Sequence, residues 1–184
     1  MNNDLQTTEN TQEAATEALE IDPLKMQAFK NELEGQQNLP MALVAGLASA
    51  VVGAAIWAGV TVLTKHQIGW MAIAVGVLVG FSVGKAGRGI SQTFGLLGGF
   101  FAFLGCAIGN LLSVCGFIAI QESLPFLEMA VDLLSQPSIA FQVMKATFNP
   151  MDVLFYALAI YEGYNFSFRQ ITEQELASLV VDRP

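Results

Sequence analysis

Charge-free apolar runs divide this chain. They predict membrane-crossing helices at about 41–63, 68–84 and 94–120, with polar and charged residues gathered before, between and after them. A helix rises about 1.5 Å per residue, so each run is long enough to cross a hydrocarbon core of about 30 Å or nearly so. A fourth crossing is expected at 151–168, after the Asn149-Pro150 start. It carries Asp152 and Glu162, which leaves a re-entrant or interfacial helix as its alternative. Between the third and fourth runs, Pro125 and Pro137 punctuate PFLEMAVDLLS and SIAFQVMKATF. Each is apolar on one face and too short to cross, so interfacial helices on the outer surface are expected over 124–147. The fold class expected is all-α: an integral membrane helical bundle of about four transmembrane helices with Gly/Ala-rich packing faces.

The flanks read differently. Residues 1–21 are acidic and rich in Thr, Asn and Gln, the composition of a disordered or fraying segment. Asp22-Pro23 then opens a short amphipathic helix, with Leu24, Ala28, Phe29 and Leu33 on one face and Gly35 as its stop. Together these make a cytoplasmic tail of 1–40. A second cytoplasmic tail, 169–184, holds Thr172 and Glu175 at capping-box spacing. No cleavable leader is expected, because the first apolar run begins only near Met41 and lacks a basic start.

Within the apolar runs, small residues recur every four positions. Ala72, Gly76, Gly80 and Gly84 form one stripe; Ala42, Gly46, Ala50, Ala54 and Ala58 form another. The third run carries two, Gly98/Ala102/Cys106/Asn110 and Gly105/Gly109/Ser113. Such spacing places the small residues on one face, where a second helix can approach backbone to backbone in lipid. Gly76, Gly80, Gly84, Gly105 and Gly109 are therefore the expected helix-packing residues.

Composition narrows the class. Hydrophobic residues are 53% and charged ones 13% of the 184 residues, against roughly 25% charged in a soluble domain. The net charge of −8 arises mainly from residues 1–40, where eight acids outweigh Lys25 and Lys30. Nucleic acid is thus not an expected partner, since phosphate binding requires clustered Lys and Arg. The lipid bilayer is, with a second copy or another membrane protein as possible associates. With both termini inside, Lys25, Lys30, Lys85, Arg88, Arg169 and Arg183 face the cytoplasm, and only Lys65 and Lys145 face out. That bias follows the positive-inside rule.

Candidate chemistry is sparse. Gly80 to Lys85 resembles a phosphate loop but has three residues between its glycines and alanine after the lysine. The cysteines Cys106 and Cys115, nine positions apart on one helix, read as packing residues. His66 is the only histidine and lies in a turn with no acid or Cys beside it; Glu128 and Asp132 read as the wet side of an interfacial helix. No catalytic set, metal set or cofactor-binding set is expected. The intramembrane polar residues are the exceptions. Glu162 is placed near the inner leaflet, where pairing with Lys85, Arg88 or Arg169 would offset its desolvation. Asn110 and Asp152 are placed in the outer half near Lys65 and His66. Structural clasps and the two ends of a pathway are both open readings of these clusters.

The runs GWMAIAVGVLVGF, LGCAIGNLL and NPMDVLFYALAIYEGYNFSFR resemble a group of small, uncharacterised bacterial inner-membrane proteins, over roughly residues 41–170. The resemblance implies a polytopic fold in a bacterial inner membrane and carries no activity. The function expected is that of a non-enzymatic multi-pass protein, a scaffold or accessory subunit, working through helix packing with itself or a partner. A small channel or transporter lined by Asn110, Asp152 and Glu162 is the alternative.

Overall fold

A computed structural model describes residues 22–66 and 68–179 of the chain. The segment 1–21, expected to be disordered, and Arg183 lie outside the described residues. The described residues fold into helices without strands. They divide into two compact units, residues 36–169 and a smaller one formed from the two flanks.

The smaller unit contains α1 (Pro23–Gly35) and α8 (Glu173–Ala177). The Asp22 carboxylate accepts from Leu24 N at 2.8 Å, and Asp22 N donates to the Leu179 carbonyl at 3.1 Å. Thr172 and Glu175 form the reciprocal cap of α8, each side chain accepting from the other's backbone N–H.

The larger unit is built from α2 (Leu39–Thr64), α3 (Trp70–Gly87), α4 (Gln92–Glu122), α5 (Phe126–Ser135), α6 (Pro137–Thr147) and α7 (Pro150–Asn165). Asn38 caps α2 by accepting from Met41 N at 3.0 Å, one residue after Pro40 in the first turn. Three helices, α2, α3 and α4, are long and apolar enough to cross a membrane. The predicted second run ends at Gly84, but α3 continues through Lys85 to Gly87 before Arg88 turns into the left-handed region at φ 48°. A basic residue in a last helical turn faces the unpaired carbonyls favourably, so the expected basic loop is partly helix.

The segment predicted as a fourth crossing is α7, 16 residues long. That is about 24 Å, less than a hydrocarbon core of about 30 Å. Its start explains one of its charges: Asn149 accepts from Met151 N, and Asp152 accepts from Asn149 N at 2.9 Å, closing a capping box.

The packing follows the small residues. α2 runs antiparallel to α3, and α4 runs parallel to α2, with Ala50 beside Gly105, Ala54 beside Gly109 and Val62 beside Gly116. α7 lies on the other side of the α3/α4 pair, parallel to α3 and antiparallel to α4, and touches both. Among the described residues α2 and α7 do not touch. The core where these helices meet holds Trp57, Ala72, Val75, Val79, Val83, Phe101, Ala102, Cys106 and Tyr156. α5 and α6 pack on α4 and on each other.

Candidate functional site: helix seams and intramembrane polar groups

The glycine stripe of α3 is met by α7 of the same chain. A Cβ added at Gly76 would strike the Ala159 carbonyl oxygen; one at Gly80 would sit 2.8 Å from that of Gly163, and one at Gly84 2.7 Å from that of Phe166. Gly69 faces the Phe155 ring, so α7 follows α3 over nearly its whole length. On its other side α7 is gripped by α4: Gly98 meets the Ser167 hydroxyl and the Gly163 carbonyl, and Gly163 faces Ala102. Ser167, which completes an Asn-X-Ser sequence with Asn165, is fully buried and donates to the Gly163 carbonyl at 2.6 Å.

Gly105 and Gly109 lie on the opposite face of α4 against α2. An added Cβ at Gly105 would stand 3.0 Å from Val75 Cγ1 and 3.3 Å from the Ala50 carbonyl oxygen, and one at Gly109 3.3 Å from the Ala54 Cα, tight contacts that a shift of tenths of an ångström relieves. Side chains enter this seam: Val75 also faces Gly105, and Trp57 faces Gly109. All five predicted packing glycines are buried against helices of their own chain.

The structure brings two of the predicted polar residues together. Asn110 is buried on α4, one turn after Cys106, whose carbonyl meets the Tyr156 hydroxyl of α7. That hydroxyl donates to the Cys106 carbonyl at 3.3 Å, and the Phe103 and Phe148 rings stand edge-on to Tyr156. Asp152 is one turn before Tyr156 and half-buried, its carboxylate turned to the Asn149 backbone. His66 is exposed, with Nδ1 2.7 Å from the Thr64 carbonyl.

Sequence reasoning passed over two more members of this layer. Trp57 and Thr61, one turn apart on α2, are buried, and Trp57 Nε1 and Thr61 Oγ1 have no hydrogen-bond partner among the described residues. The other buried helical hydroxyls, Ser49, Ser113 and Ser167, all donate to carbonyls of their own helix or its last turn. Thr61 does not. The signal for both residues was available, since Gly53, Trp57 and Thr61 continue one four-residue line.

Glu162 stands apart from this layer. Between it and Tyr156, Ala159 presses on Gly76 with no room for a side chain, and Gly163, just after it, presses on Gly80 in the same way. The cations expected to pair with it are engaged elsewhere or exposed. Lys85 Nζ lies 5.5 Å from the centre of the Phe81 ring, Arg88 is exposed, and Arg169 donates to Gln36 Oε1 at 2.7 Å. Among the described residues no ion pair joins Glu162 to Lys85, Arg88 or Arg169. Glu162 is half-buried on the α3-facing edge of α7, its carbonyl next to Gly80.

A groove of about 400 Å³ opens between α2, α4 and α5, lined by residues such as Ala58, Gly59, Val62, Gly116 and Phe126. Its lining is almost wholly apolar. Among the described residues no group of three or more His, Cys, Asp or Glu side chains is placed to hold a metal ion. Compared with protein families, with curated proteins and with solved structures, the chain matches none.

Proposed function

We propose that this protein is a non-enzymatic multi-pass membrane protein that acts by associating with a second copy or a partner through the outside of its bundle, as a scaffold or accessory subunit. The observation that carries the reading is Glu162, a carboxylate on the outward edge of a membrane-embedded helix with no ion-pair partner among the described residues. An ionisable group at such depth is costly and is ordinarily matched by a partner. The glycine stripes are not the associating surface in this reading, since α7 and α2 already occupy them.

The same reading places four crossings in a bacterial inner membrane with both termini cytoplasmic. Its support is the distribution of Lys and Arg and the course of α7. From Phe155 beside Gly69 to Gly163 beside Gly80, with the Phe166-Ser167 turn after it beside Gly84, α7 and its end follow nearly the whole of the crossing helix they pack on. The oligomeric state of the purified full chain in lipid nanodiscs, with identification of co-purifying chains, tests the proposal. A defined oligomer or partner is expected. A monomer without a partner at every protein-to-lipid ratio contradicts it.

One observation favours a second reading, a channel or small-solute transporter. Trp57 Nε1 and Thr61 Oγ1, buried and without hydrogen-bond partners among the described residues, lie in the outer half of the bundle with Asn110, Tyr156 and Asp152. Flux in proteoliposomes that Asn110→Ala or Thr61→Val abolishes would establish that reading, and no flux with either chain would remove it.

A further inference from the structure

The exposed edge shared by α3 and α7 carries its charges in an arrangement that complements itself. Phe81 and Lys85, one turn apart on α3, are exposed, and so is Tyr161 of α7, next to the half-buried Glu162. The Gly80 contact with the Glu162 carbonyl fixes the relative depth of the two charges. Lys85 is five residues, about 7.5 Å along the axis, closer to the cytoplasmic end of α3. A long flexible ammonium stem reaches inward toward a carboxylate more readily than a carboxylate reaches outward.

Resting on the association proposed above, the geometry points to a second copy of this chain as the occupant of the α3/α7 edge. In this two-fold dimer, Glu162 of each chain pairs with Lys85 of the other. Two copies inserted with the same orientation are related by an axis along the membrane normal, which preserves depth. Rotation by a half-turn exchanges the order of the two helices, so α7 of one copy meets α3 of its partner on both sides of the axis. Such an isologous contact makes each pairing twice. The carboxylate gains an ammonium in a low-dielectric setting, where an unpaired charge is least tolerated. Phe81, Leu78 and Tyr161 supply the apolar surround, and no glycine is called upon.

Charge reversal tests this arrangement, with the full chain in nanodiscs and oligomeric state read by native mass spectrometry. Far-UV circular dichroism confirms that each variant is folded. The wild-type chain is expected to be dimeric. Glu162→Lys alone and Lys85→Glu alone are each expected to be at least tenfold weaker as homodimers, because each brings like charges together. A one-to-one mixture of the two variant chains is expected to recover dimers of mixed composition. In the mixture, every pairing between chains is again of opposite sign, while the pairing within each chain stays broken. A folded mixture that remains monomeric overturns the proposal, because the two charges would then clasp within one chain. Wild-type dimers that survive both single reversals overturn this surface and leave association standing. A wild-type chain that is monomeric at all ratios overturns both.

Discussion

The seam between α3 and α7 and the seam between α2 and α4 are both lined by small residues, yet their glycines meet different things. On α3, Gly76, Gly80 and Gly84 face backbone carbonyl oxygens of α7, at separations no Cβ adopts. On α4, Gly105 and Gly109 stand at about the limit of normal contact from α2, and valine and tryptophan side chains share the space. The difference tracks helix length. α2 has 26 residues and meets α4 at 3.3 Å or more from its backbone, whereas α7, with 16, comes closer to α3 than any Cβ allows. Where little apolar driving force exists between helices in lipid, close approach and interhelical hydrogen bonds supply the attraction.

Gly80→Ala is the substitution with the largest expected effect on this contrast. The added methyl meets carbonyl oxygen that belongs to a helix, not to a side chain that can swing away. A loss of about 3 kcal/mol is expected, at the upper end of ordinary overpacking costs, read as a lower unfolding temperature in detergent. Tyr156→Phe comes next, removing the hydroxyl of α7 that donates to the Cys106 carbonyl of α4. Interhelical hydrogen bonds in membranes are worth about 0.6 to 1.7 kcal/mol, and chemical denaturation in mixed micelles should show a loss in that range. Gly109→Ala, on the looser seam, is expected to cost under about 1 kcal/mol, since its neighbours need to move only by tenths of an ångström. Gly59→Ala is smallest and opposite in sign. Nothing lies within 4 Å of its added Cβ, so only the helix-propensity gain, up to about 1 kcal/mol, remains. If the Gly80 and Gly109 substitutions cost the same, the two seams are energetically alike and the contrast fails.

Much of the bundle was legible in the residue pattern, because a charge-free run and a four-residue spacing are both local properties of a helix. Spans 41–63 and 94–120 fall within α2 and α4 to within a few residues at each end. What the spacing of Gly76, Gly80 and Gly84 does not contain is the identity of the opposing helix. It defines a face, and only tertiary structure shows that α7 fills it. The fourth helix was obscure for a related reason. Asp152 reads as a charge within a span until its carboxylate is seen closing the cap on Asn149. The inner ion-pair cluster expected around Glu162 depended on depth alone. Lys85 lies five residues beyond Gly80, which meets the Glu162 carbonyl, and its ammonium lies over the Phe81 ring. Trp57 and Thr61 were passed over because an apolar-looking stripe hides which polar atoms lack a partner.

The account rests on the α3 stripe being spent inside a single chain. Thermal unfolding of Gly80→Ala against wild type, at dilutions in detergent where both are monomeric, addresses that claim most directly. The account predicts that the monomer of Gly80→Ala unfolds at a clearly lower temperature, because α7 loses its seat. Equal unfolding temperatures for the two monomers, with a penalty appearing only in oligomers, would assign the stripe to a contact between chains and contradict it.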